Sequence, residues 1–268
     1  MKKSILIIGA VLTTLSLTAY TYIAWESSSP ETEIACSTPH PTVEELPEVA
    51  CRPTEVHPDF QYKVSNEFNT TITLEDLQKA NSVVDLLPAE ATENLSSYRD
   101  VKMDVVPNDN TTAIEGVDEN LNDDQLELLK SMNYSSNFYL EARCKNINTR
   151  YGPMDNYHLV YYLTVVPEVL AQYNKGQDAL LKYLKKGSEN KVAAANWSDI
   201  TPGRLHFTIT KDGSIKNIFN SSSCGSTSID EQMLELIRDM PGKWQPAKDA
   251  NGNTVAQEFV FFYGKQGC

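Results

Sequence analysis

Arg204-Leu205-His206-Phe207-Thr208-Ile209-Thr210-Lys211-Asp212-Gly213-Ser214 decides how the C-terminal hundred residues fold. Side chains on a strand alternate between its two faces, so Leu205, Phe207 and Ile209 fall on one side and the segment reads as a half-buried strand. Asp-Gly between two strand patterns predicts a type I′ hairpin, since that turn needs positive φ at both central residues, and Ile215 to Asn220 is the returning strand. Downstream, Ser228-Ile229-Asp230-Glu231 reads as a capping box, in which the Ser228 side chain bonds the Glu231 amide and Glu231 reaches back. It opens a helix with the apolar stripe Ile229, Met233, Leu236, Ile237 and Met240, and Pro241-Gly242 stops it. Upstream, Asn174 caps a helix with Gln177 at its third position and Ala179, Leu180, Tyr183 and Leu184 on one face. Lys182, Lys185 and Lys186 suit the negative end of that helix, which Gly187 terminates. Val255 to Tyr263 is the final strand, giving the order helix, strand, strand, helix, strand.

Residues 60 to 166 read as a second α+β region. Phe60 to Val64 is strand-like, and a helix runs from about Leu74 to Leu87 with Thr73 as its cap. Val101 to Val105 alternates as a strand does. A further helix, Asp123 to Met132, follows Asn122 and begins with acidic residues suited to a helix N-terminus. Phe138 to Cys144 and the apolar, β-branched Tyr157 to Val166 are strands, the second of them central in a sheet. Leu126-Glu127-Leu128-Leu129-Lys130-Ser131-Met132 echoes Leu234-Glu235-Leu236-Ile237-Arg238-Asp239-Met240, and each follows a strand and a turn rich in Asp or Asn. Either the region is a diverged copy of the C-terminal module, or two amphipathic helices share a spacing by chance.

The N-terminus is of another kind. Lys2 and Lys3 precede Ile5 to Trp25, 21 residues without a charge. A bilayer core needs about 20 helical residues, so residues 1–25 read as a membrane anchor in the inner membrane, with a cleaved export signal and a periplasmic product as the alternative. Either way the lysines stay cytoplasmic and the remainder is exported. Residues 26–59 hold six of the 13 prolines among Glu, Thr and Ser and read as an extended periplasmic linker. A net charge of -13 argues against nucleic acid and anionic lipid surfaces as partners, leaving the N-terminal segment as the membrane contact.

Export makes the five cysteines candidates for disulfides, with Cys36–Cys51 and Cys224–Cys268 the expected pairs and Cys144 left over. The spacings Cys36-x3-His40 and Cys51-x5-His57 fit no standard zinc pattern, so no metal is expected. No nucleophile motif, phosphate-cradling loop or cofactor signature occurs, and no catalytic residue or cofactor is assigned.

Residues 167 to 268 read as one C-terminal domain, of which about 167 to 264 resembles the TonB C-terminal domain family. The likeness rests on Pro167-Glu168 ahead of Gly176, on Gly203 leading into the strand that ends Lys211-Asp212-Gly213-Ser214-Ile215, and most of all on one run. In that run Ile229-Asp230-Glu231 opens a helix, then come Met240-Pro241-Gly242-Lys243-Trp244-Gln245-Pro246-Ala247-Lys248, Asn251-Gly252 and Val255-Ala256-Gln257. The resemblance implies a two-layer α+β domain with an antiparallel sheet. It also implies that the domain binds a segment of an outer-membrane transporter as an added strand beside its own last strand, through Val255, Gln257, Phe259, Phe261 and Tyr263. Asp212, Gly213, Met240, Pro241, Trp244 and Pro246 are then structural signature residues, Trp244 a core anchor. Inner-membrane motor proteins are the implied energy source. Members that transduce energy carry a histidine in the membrane helix and a long charged spacer. Ile5 to Trp25 has no histidine and the linker is short, so a static envelope adaptor is the alternative role.

Overall fold

The computed structural model describes residues 57–106, 113–150 and 152–266, which lie within one compact unit. The run Ile5 to Trp25 and the cysteines at 36, 51 and 268 lie outside the described residues.

The chain is mixed α+β, with two helix-backed sheets. β1 (Gln61–Ser65) is followed by a middle lobe made of β2 (Thr70–Thr73), α1 (Leu74–Lys79), a 3-10 turn at Val84–Leu86, α2 (Ala89–Thr92), β3 (Leu95–Val106), β4 (Ile114–Gly116), α3 (Asp123–Ser131), β5 (Asn137–Asn146) and β6 (Met154–Val166). The C-terminal lobe adds β7 (Gln172–Tyr173), α4 (Gln177–Ala193), a 3-10 turn at Trp197–Asp199, β8 (Pro202–Ile209), β9 (Ile215–Ser222) and α5 (Thr227–Arg238). It ends in β10 (Trp244–Gln245), β11 (Ala247–Lys248), β12 (Thr254–Val255) and β13 (Gln257–Gly264). The middle sheet has the order β2-β6-β5-β3-β4 and the C-terminal sheet β1-β13-β8-β9. Each has its own core. Leu77, Met103, Leu129, Phe138, Leu140 and Leu163 anchor the first, and Leu180, Leu205, Phe207, Ile237 and Phe261 the second.

β1 was expected to belong to the middle region, but it pairs antiparallel with β13 from Gln61↔Gly264 to Ser65↔Val260. The middle lobe is therefore inserted between the first strand of the C-terminal sheet and the rest of it. The lobes meet through polar contacts. The Phe68 amide donates to Thr164 Oγ1 at 3.0 Å, and the Glu258 amide to Ser135 Oγ at 2.9 Å.

The two lobes share a strand order. In each, two antiparallel strands and a helix (β3, β4, α3; β8, β9, α5) are followed by a strand that pairs with the first of them, giving β5-β3-β4 and β13-β8-β9. The echoing segments at Leu126 and Leu234 fall on α3 and α5, the equivalent helices.

Several local expectations need correction. Thr73 does cap α1, accepting from the Asp76 amide at 3.1 Å, but the helix ends at Lys79 rather than Leu87. The Asp85 carboxylate accepts from the amides of Asn81 and Ser82 at 3.0 and 2.9 Å, and this local bonding competes with the helical ladder. Asn174 does not cap α4; Gly176, at φ 83°, precedes its first residue. Gly187 does not end α4 but lies where the helix crosses α5, and a Cβ there would sit 2.3 Å from Leu236 Cδ2. The capping box at Ser228 is absent, because the helix begins two residues earlier, at Thr227, with Ser226 at its cap position. The box at α3 is formed, by Asn122 and Gln125.

Candidate functional site

The final strand does not present an edge. β13 lies between β8 and β1, so along Val260 to Gly264 the slot beside it is filled by the chain itself. Four of the five expected contact residues are interior. Val255 is half-buried on β12 opposite Ala247. Gln257 is 1% exposed, accepts from the Ala171 amide at 2.8 Å and donates to Asn66 Oδ1 at 3.0 Å. The Phe259 ring lies 5.8 Å from Phe207 and 5.3 Å from Trp244. Phe261 is fully buried, and the Tyr263 hydroxyl donates to the Asp230 carboxylate at 2.7 Å.

β1 is not a loose cover. Phe60, Tyr62 and Val64 are all buried, and each contributes about 1.5–3 kcal/mol on burial. Tyr62 Oη also bonds Ser188 Oγ at 2.8 Å, and Gln177 Nε2 donates to the Val64 carbonyl at 3.0 Å. A partner strand entering beside β13 would have to replace all of this.

The signature residues gather at one end of the lobe. Trp244 is 6% exposed and packs on Tyr173, Phe207 and Phe259, with ring centroids 5.6, 5.9 and 5.3 Å away, which makes it a core anchor. Gly213 lies against the Trp244 carbonyl, 2.3 Å from where a Cβ would be, with Pro246 Cδ at 3.9 Å. The turn is not type I′, because only Gly213 has positive φ (80°). Its amide donates to the Thr210 carbonyl at 2.9 Å, closing a three-residue loop with a left-handed glycine. Hydroxyl bonds from Thr210 and Ser214 hold the Asp212 carboxyl down to about 2. The Pro241 carbonyl accepts from the Tyr173 hydroxyl, and Met240 packs beside the core.

The two outer strands of this sheet are β1 and β9, and among the described residues neither has a strand on its outer side; β9 is the one that also exposes a large apolar side chain. Asn217 at φ 49° and two register shifts against β8 twist it, as edge strands often are twisted to discourage indiscriminate pairing. Phe219 is 48% exposed, a large apolar side chain in a polar run, and its ring stacks on His206 at 4.9 Å. Beneath it, His206 Nδ1 lies 3.1 Å from Glu258 Oε1, and Arg204 Nη1 donates to Glu67 Oε1 at 2.9 Å. The two glutamates flank opposite nitrogens of the imidazole and do not converge on a shared point. Among the described residues no cluster of His, Cys, Asp or Glu is arranged to hold a metal ion. The sequence placed this strand, at Ile215 to Asn220, but not its role as a binding edge, for which the polar run Asn217-Ile218-Phe219-Asn220-Ser221-Ser222 around one phenylalanine was the available signal.

Cys224 and Cys144 are buried and free among the described residues, and Cys268, the expected partner of Cys224, lies outside them. Burial pushes the Cys224 thiol up to about 12 and raises that of Cys144 as well. His57, expected in the linker, stacks on Trp197 at 3.7 Å. Comparison with protein-family models, curated proteins and solved structures finds no match for this chain.

Proposed function

We propose that this chain is a TonB-like periplasmic protein-binding module, an accessory or energy transducer of outer-membrane transport held at the inner membrane by its N-terminal segment. It captures an extended segment of a transporter by strand addition, and it does so at β9. The observation that carries this reading is that β9, an outer strand with no further strand beside it among the described residues, exposes Phe219, while the last strand, β13, lies between β1 and β8. Unpaired backbone donors and acceptors of an edge strand supply affinity, and alternate side chains supply selectivity. The common strand order of the lobes supports duplication of one module, in which β6 covers β5 as β1 covers β13.

The sequence also favours a second role on the same surface. Ile5 to Trp25 contains no histidine to couple to a motor, which suits a static adaptor of the envelope. Affinity purification from cross-linked membranes, with the intact mass of the chain read from the same preparation, separates the roles. The transducer role predicts retention of residues 1–25 with motor subunits and an outer-membrane transporter co-purifying. A chain cut near residue 25 without those partners contradicts it and leaves the adaptor.

A further inference from the structure

The outward face of the C-terminal sheet carries one row of side chains across three strands. Lys63 on β1 lies opposite Phe262 on β13, which lies opposite Arg204 on β8. The ring of Phe262, half-buried, takes both cations, with Lys63 Nζ 5.6 Å and Arg204 Cζ 5.7 Å from its centroid. The ring quadrupole stabilises such placements, but it does not neutralise them. Glu67 pairs with Arg204 at 2.9 Å. Lys63 donates only to the neutral Asn69 Oδ1, at 2.7 Å, and among the described residues no carboxylate reaches it. Lys265, held 4.9 Å over the Trp197 ring, likewise has no carboxylate partner among them.

These three cations line a groove of about 400 Å³ together with Gly203, Phe262 and one carboxylate, Glu67, which is the partner of Arg204. The chain as a whole carries -13, so an anion is repelled from most of its surface and attracted here. A flat anionic bilayer would meet that overall charge. An extended chain threading the groove meets the cations and the ring.

We propose that this groove binds an extended acidic peptide. One Asp or Glu carboxylate sits between Lys63 and Arg204 above the Phe262 ring, and a second acidic side chain reaches Lys265. The site does not depend on strand capture at β9.

The test is fluorescence anisotropy of the full chain with a labelled peptide of alternating Glu and Ala and with its Gln counterpart. The Glu peptide is expected to bind about tenfold more tightly than the Gln peptide, to weaken as salt is raised, and to lose about tenfold in affinity in Lys63→Glu and in Lys265→Glu. Lys265 lies past the last strand, so its variant reads the site even where Lys63→Glu disturbs β1. Equal binding of the two peptides overturns the proposal, as does a Glu peptide indifferent to both substitutions. So does lysine-dependent binding to phosphatidylglycerol vesicles with no binding of the peptide.

Discussion

Asp230→Ala is expected to destabilise the protein by about 3–5 kcal/mol, read as a lower urea midpoint and a melting temperature reduced by roughly 10 °C or more. Asp230 is 7% exposed and its carboxylate accepts three bonds: from the Cys224 amide at 3.0 Å, Ser223 Oγ at 2.5 Å and the Tyr263 hydroxyl at 2.7 Å. Burial, and then Asp230, hold the Tyr263 phenol far above its ordinary range, so it stays a donor at any pH the protein meets. Removing the acceptor leaves a buried hydroxyl with only Asn220 Oδ1 at 3.3 Å, and a buried amide with nothing in its place. Unfulfilled donors of this kind cost more than the bond they lose. A melting curve unchanged by the substitution would show that the junction between β9, α5 and β13 is not held this way.

Tyr62→Ala is the second large effect, and it also bears on the site. The side chain is 8% exposed, its ring lies 5.0 Å from Phe60 and 6.3 Å from Phe261, and burial raises its phenol to about 12. Truncating a buried aromatic costs about 3–5 kcal/mol, and here the loss falls on the strand that closes the sheet. With β1 loosened, the edge of β13 opens and concentration-dependent association follows, which size-exclusion chromatography with light scattering detects. Partner affinity is expected to stay the same or fall. A rise would mean that the partner competes with β1 for the last strand.

The sequence showed what is encoded locally. Alternation at Leu205, Phe207 and Ile209 placed β8, and the stripe at Ile229, Met233 and Leu236 placed α5, because burial on one face imposes those periods directly. What was missed is non-local or depends on a partner segment. Nothing near Gln61 announces that it will pair with Gly264, across the whole inserted lobe. That single pairing turned the expected binding edge into an interior strand. Gly187 was read as a helix stop because its other use, letting α4 approach Leu236, exists only once the helices are packed. Asp230 was read as part of a capping box, although its carboxylate is committed to Tyr263, a residue far along the chain.

The most direct test of partner capture at β9 is photo-crosslinking in cells, with a benzophenone amino acid placed at Phe219 on β9 and, separately, at Glu258 on β13. The account predicts adducts to a partner protein from position 219, and only contacts within the chain from position 258. Partner adducts from position 258 with none from position 219 would contradict it and return the binding edge to the last strand.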